Sequence, residues 1–201
     1  MSDRIIHIYT EASPNPNSLK FVVNFDLIDG VSLDFPSIEE TKNCPVAKDL
    51  FNEFDFIERV FISGNFITIT KAERTDWFEV MPHVKEFIKN YIKEEKPLFD
   101  EDIKKQVVGE DLKEQRNQSD NIEIINQIKV VLEEYVKPAV ESDGGAIAFQ
   151  DYSEGKVTVL LQGSCSGCPS ATVTLKNGVE SLLKRMVPEV TEVVAEGVEV
   201  A

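Results

Sequence analysis

The chain has 201 residues, long for one small domain and comfortable for two, with 42% hydrophobic and 28% charged residues. Acidic residues outnumber basic ones 36 to 21, for a net charge of −15, by 18 to 11 in residues 1–100 and by 13 to 6 in residues 120–201. Neither half therefore offers the phosphate-neutralising patch of a nucleic-acid binder or the basic surface that adheres to an anionic membrane. No run approaches the roughly 18 apolar residues of a membrane span, and the first residues carry no signal-peptide or transit pattern. Three cysteines make a poor disulfide framework, so a reducing cytoplasm is the expected compartment.

In chain order, Ile5–Tyr9 and Leu19–Val23 read as strands, separated by the turn-forming Pro14-Asn15-Pro16-Asn17. A short helix is predicted over 45–54, opened by Pro45. Ile57–Ile62 and Phe66–Thr70 are β-rich runs joined by Ser63-Gly64-Asn65, a hairpin signal. From Asp76 to Ile92, Trp77, Val80, Met81, Val84, Phe87, Ile88 and Tyr91 fall at helical spacing. Pro82 predicts a kink there or two abutting helices.

Residues 97–119 are polar, with no sustained period, and read as a linker. Beyond it, Ile125, Ile128, Leu132, Tyr135 and Val136 predict an amphipathic helix, bent or broken by Pro138 before Asp143-Gly144-Gly145 turns the chain. Ile147–Gln150 and Val157–Leu161 read as a hairpin around Ser153-Glu154-Gly155. Leu175, Val179, Leu182 and Met186 line a last helix, stopped by Pro188, and Val190–Ala195 returns as a third strand. The predicted fold class is α+β: two small α+β domains, 1–96 and 120–201, joined by a polar linker at 97–119.

The chemistry lies in Gly163-Ser164-Cys165-Ser166-Gly167-Cys168-Pro169-Ser170, between a predicted strand and a predicted helix. Cys168 falls at or just before a helix N-terminus, where orphan amides and the positive end of the dipole favour a thiolate. Glycines on either side let backbone N–H groups approach sulfur, and Pro169 suits a first helical position. Two thiolates admit three uses. A structural zinc needs four ligands, and Cys44, His7 and His83 are remote in sequence, so one chain is poorly equipped to close such a site, whereas two chains could be bridged by zinc. A dithiol–disulfide oxidoreductase also fits C-x-x-C at a helix start, although serine and glycine replace the large neighbour such enzymes carry. An iron–sulfur cluster needs four thiolates, which two chains supply across a twofold axis. His7, His83 and Trp77 read as surface or packing residues, and no catalytic triad, phosphate loop or carboxylate pair stands out.

Residues 122–198 resemble the C-terminal domain of NifU and the Nfu proteins, through Val136-Lys137-Pro138-Ala139, Asp143-Gly144-Gly145, Gly155-Lys156-Val157, the cysteine segment, and Thr174-Leu175-Lys176. Residues 10–92 resemble the N-terminal Nfu domain, through Pro14 to Phe21, Asn65 to Lys71, and Asp76-Trp77. The resemblance implies an iron–sulfur scaffold or carrier, not an enzyme. Its Cys165 and Cys168 would bind a 4Fe–4S cluster (2Fe–2S being the alternative) shared between two subunits of a homodimer. It further implies an upstream cluster-assembly scaffold as donor and apo iron–sulfur proteins as recipients. Ala146 and Ala171 depart from the family's more usual Asp and Ser. Cys44 stands where Ser is usual and reads as a small packing residue.

Overall fold

The protein is described from a computed structural model, which places residues 5–100, 121–166 and 169–197. The chain divides into two compact units, with the division falling between residues 100 and 121. Both contain helices and sheet, as the α+β reading expected.

The first unit is a five-stranded antiparallel sheet, order β1-β2-β5-β4-β3, formed by β1 (Ile8–Ala12), β2 (Ser18–Val23), β3 (Ser32–Phe35), β4 (Ile57–Ser63) and β5 (Phe66–Lys71). Helices α1 (Pro45–Glu53) and α2 (Trp77–Lys93) give Val46, Ala47, Leu50, Val84, Ile88 and Tyr91 to a core shared with Phe21, Val23, Val60, Ile62, Ile67 and Ile69. The alternate residues Val22, Phe61, Phe66 and Thr68 are buried as well. That two-sided burial explains why β4 and β5 read as nearly continuous β-rich runs and not as polar–apolar alternation.

The first strand starts later than predicted. Its ladder with β2 runs from Ile8↔Val23 to Ala12↔Leu19. Before it, the Asn24 side-chain amide takes the backbone's place, accepting from His7 N at 3.0 Å and donating to Ile5 O at 3.0 Å. Strand β3 was not predicted; four residues carrying an aspartate give too short a pattern. Helix α2 runs through Pro82 as one element, so the two abutting helices are not found. The ring sits early in the helix, and the bond it forgoes is to the carbonyl of Phe78, a residue that is 88% exposed. Asp76 caps this helix, accepting from Phe78 N at 2.9 Å. Residues 97–100, assigned to the linker by composition, pack on this unit: Phe99 joins its core and Asp100 N donates to Asn43 O at 2.9 Å. The predicted linker's remainder, 101–119, lies outside the described residues.

In the second unit, β6 (Gly145–Ser153) pairs antiparallel with β7 (Lys156–Gly163), and β7 pairs parallel with β8 (Glu192–Gly197). Helix α5 (Pro169–Met186) makes the crossover between β7 and β8. The β6–β7 turn has positive φ at both Glu154 (50°) and Gly155 (82°), the signature of a type I′ hairpin. The carbonyl of Gly155 accepts from Thr191 N (2.7 Å) and Glu192 N (3.2 Å), fixing the entry to β8.

The helical stretch before β6 departs from prediction. Helix α3 (Ile122–Val131) leads into a π-turn over Leu132–Val136, where Lys137 N reaches back five residues to Leu132 O, and then into α4 (Lys137–Ser142). Pro138 thus occupies the second position of a new helix, where no backbone N–H is needed, and the path continues instead of breaking. The wider turn changes which side chains face inward: Leu132, Val136 and Val140 enter the core, whereas Tyr135, expected on the apolar face, is 55% exposed. Met186, also expected inside, is 43% exposed, and Leu183 and Val187 fill the core instead.

Candidate metal centre

The cysteine loop grows from the end of β7. Gly163 takes φ 64° there, and Ser166 N returns to Gly163 O at 3.1 Å, closing a tight turn around Ser164 and Cys165. Before the neighbouring strand, α4 is followed by Gly144, whose φ of 82° turns the chain into β6 while Gly144 N bonds Glu141 O at 3.0 Å. Gly145 and Gly163 are directly paired in the β6–β7 ladder, so the two turns lie side by side. Spacing identifies Asp143-Gly144-Gly145 only as a turn; the structure sets it against Cys165.

Three contacts hold the loop to that turn. Ser164 N donates to Gly144 O at 3.3 Å, and Ser164 Oγ donates to Asp143 O at 2.6 Å. The third is steric. A Cβ built on Gly145 would stand 2.8 Å from Cys165 Sγ and 2.6 Å from Gln162 O, closer than real Cβ contacts come. The sulfur therefore occupies a notch that exists because residue 145 has no side chain. Ser164 Oγ also lies 3.9 Å from Cys165 Sγ. Cys165 is 5% exposed and packs with the core of the second unit.

Cys168 and Gly167 lie outside the described residues. Helix α5 begins at Pro169, the residue after Cys168, as the sequence predicted. Among the described residues, no three His, Cys, Asp or Glu side chains converge as a metal-ligand set.

The remaining candidates lie in the first unit. His7 and His83 are exposed. Trp77 stands edge-on to Phe21, with ring centroids 6.2 Å apart, as a packing residue. The Pro14–Asn17 turn is fixed by Asn17 N donating to Asn15 Oδ1 (3.0 Å) and Ser18 N to Asn15 O (2.9 Å). Cys44, at the N-cap of α1, is fully buried and directs its thiol to Leu98 O at 3.5 Å.

Burial pushes the Cys44 thiol up to about 12. Burial, followed by the nearby Asp49 and Cys44, pushes Tyr91 up to about 12 as well, and its hydroxyl donates to Pro97 O at 3.1 Å. Both acids hold their protons more tightly folded than unfolded, where they titrate near 9 and 10. Their contribution is complete below about pH 9 and is lost as pH rises towards 12. Urea unfolding from pH 8 to 11 is expected to show stability falling with pH, and less steeply in Cys44→Ser. Equal slopes in the two proteins would remove Cys44 from the account.

Two features of the site escaped sequence reading: the Ser164 contact and the Gly145 notch. One signal was present. A single glycine with positive φ suffices for the turn, and Gly144 supplies it, so a second, adjacent glycine points to a close approach by something else.

Comparison with known proteins places both units. The family model described as "Scaffold protein Nfu/NifU N terminal" matches residues 8–95, and that described as "NifU-like domain" matches residues 128–194. The chain is 36% identical over 200 residues to the "NFU1 iron-sulfur cluster scaffold homolog, mitochondrial" of Drosophila willistoni, covering 96% of this chain and 64% of that protein. It is 34% identical over 197 residues to the human protein of the same description, covering 98% and 72%. It is also 34% identical over 189 residues to "NifU-like protein 4, mitochondrial" of Arabidopsis thaliana, covering 93% and 65%. The chain thus spans slightly under two thirds of the fly and plant relatives. No helix among the described residues is long and apolar enough to cross a membrane.

Proposed function

The chain belongs to the Nfu family of iron–sulfur cluster scaffold proteins, and from that premise we propose that it holds a cluster on Cys165 and Cys168 and passes it to apo-proteins, as a carrier and not an enzyme. The observation that carries the proposal is the mounting of Cys165. A buried structural cysteine needs no particular backbone, whereas this sulfur sits where two glycine turns meet, over a residue that must lack a side chain.

One chain brings two motif thiolates and a cluster needs four, so the loaded form is a homodimer with the cluster between its subunits, 4Fe–4S in our reading. An interface cluster can be approached by the thiolates of a recipient. Exchange of ligands one by one, followed by separation of the subunits, delivers it. The cluster enters from an upstream assembly scaffold, and the first unit contributes to the choice of recipient. We assign the protein to the cytoplasm on its cysteine usage; the fly, human and plant relatives are mitochondrial by name, and fractionation of cells expressing the full chain decides between the compartments.

Anaerobic reconstitution with iron and sulfide tests the proposal. A brown dimer with about two irons per chain supports it. A colourless dimer with about half a zinc per chain would instead mark a structural zinc bridge. Catalytic reduction of insulin disulfides by the metal-free chain would mark a dithiol oxidoreductase.

A further inference from the structure

We infer that Ser164 is a positioning residue for the cluster-bearing sulfur: its hydroxyl pins the cysteine loop to the Asp143 carbonyl and thereby keeps Cys165 seated over Gly145. The inference rests on the reading of Cys165 as a cluster ligand.

The Ser164 side chain is almost wholly buried, and its 2.6 Å bond to Asp143 O is short even for a hydroxyl donor. The donor end of the bond is buried although Asp143 itself is exposed, so losing the hydroxyl removes a hydrogen bond made from inside the fold. Its position matters more than its strength. Asp143 and Gly145 belong to one turn, and Ser164 is the immediate neighbour of Cys165. The bond therefore ties the residue before the sulfur to the turn that contains the sulfur's notch. With Ser164 N on Gly144 O, two bonds from a single residue fix the loop in two directions.

This arrangement has two consequences for Cys165. Before a cluster is taken up, its sulfur is shielded, which protects it from alkylation and oxidation. When a cluster binds, the sulfur's resting place is set by the fold and does not have to be found by a wandering loop. Serine as a mere small filler would predict neither, because alanine would fill the same space.

The test uses the full-length metal-free chain in a pulse of iodoacetamide, with labelling of Cys165 followed by peptide mass spectrometry and Cys44 as the internal reference. Ser164→Ala is expected to raise the Cys165 labelling rate about tenfold, the effect of losing one hydrogen bond from a buried hydroxyl. Cys44 should stay unlabelled, and Ser164→Thr, which keeps the hydroxyl, should restore most of the protection. After reconstitution, Ser164→Ala should reach the wild-type iron content but lose its colour to a chelator several-fold faster. Labelling of Cys165 at the wild-type rate in Ser164→Ala would overturn the inference.

Should that variant fail to fold, Gly145→Ala provides a second route through the notch: its methyl group meets both Cys165 Sγ and Gln162 O, and in a variant with unchanged circular dichroism it is expected to raise labelling likewise. Wild-type protein adds a third. Seating by a local latch predicts that Cys165 labels slowly at urea concentrations too low to change the circular dichroism. Labelling only on complete unfolding contradicts it. A wild-type chain that takes up no cluster would sink the carrier reading, while the labelling arms would still decide whether Ser164 seats Cys165.

Discussion

Cys165→Ser is expected to leave the chain folded and unable to retain a cluster, with bound iron falling from about two per chain to less than a tenth of that. The exchange removes one sulfur and adds a hydroxyl of similar size in a site with 5% exposure. An isolated hydroxyl buried there costs about 1–3 kcal/mol. Ser164 Oγ stands close to the sulfur's position and can serve as a partner, which places the cost at the lower end. Ligation suffers far more, because a serine hydroxyl gives up its proton only well above neutral pH, whereas a thiol near iron is deprotonated outright. Iron and sulfide content after anaerobic reconstitution, read together with circular dichroism, separates lost chemistry from lost fold. A folded Cys165→Ser chain with wild-type iron would refute the ligand assignment.

Arg59→Met is expected to destabilise the first unit by about 3–5 kcal/mol, the typical cost of removing one partner of a buried ion pair. Arg59 on β4 donates to Asp34 on β3 at 2.7 Å, and each side chain is only 4% exposed. Without the guanidinium, Asp34 keeps a charge in a place that water scarcely reaches, on a four-residue edge strand. The double variant Arg59→Met/Asp34→Leu should recover most of the loss, since two apolar side chains replace a buried pair at little cost. Trp77 is the chain's single tryptophan and lies in this unit, so its fluorescence during urea unfolding reports on the first unit alone. A loss below about 1 kcal/mol would show the pair to be solvated after all.

Where one local rule dominates, the sequence is legible. Gly64 in the β4–β5 turn, Pro45 and Pro169 at helix starts, and the Glu154-Gly155 hairpin all stand where turn and cap chemistry put them. Misreadings arise where two influences compete. Pro138 reads as a breaker only if helical spacing continues at 3.6 residues per turn. The π-turn absorbs one residue, gives the proline a harmless position and moves Tyr135 outward. Propensity starts strand β1 three residues early, at Ile5 and Ile6, whereas the Asn24 amide decides where the ladder begins. At the site, the residue types are legible and their company is not. No spacing argument puts Asp143 beside Ser164, because the strand pairing that joins them spans about twenty residues.

Apart from the Ser164 hydroxyl, the described parts of the Cys165 mount are main chain: two carbonyls of a turn, one Cα, and a ladder pair of glycines. Such a holder makes few demands on the amino acids displayed around it. Ala148, Gln150 and Asp151 on β6 and Val173 near the start of α5 are exposed. They can be exchanged without altering where the sulfur rests. The outer surface is thus free to drift, and a lineage could acquire new docking preferences through ordinary surface substitutions while the grip on its cargo stays as it was.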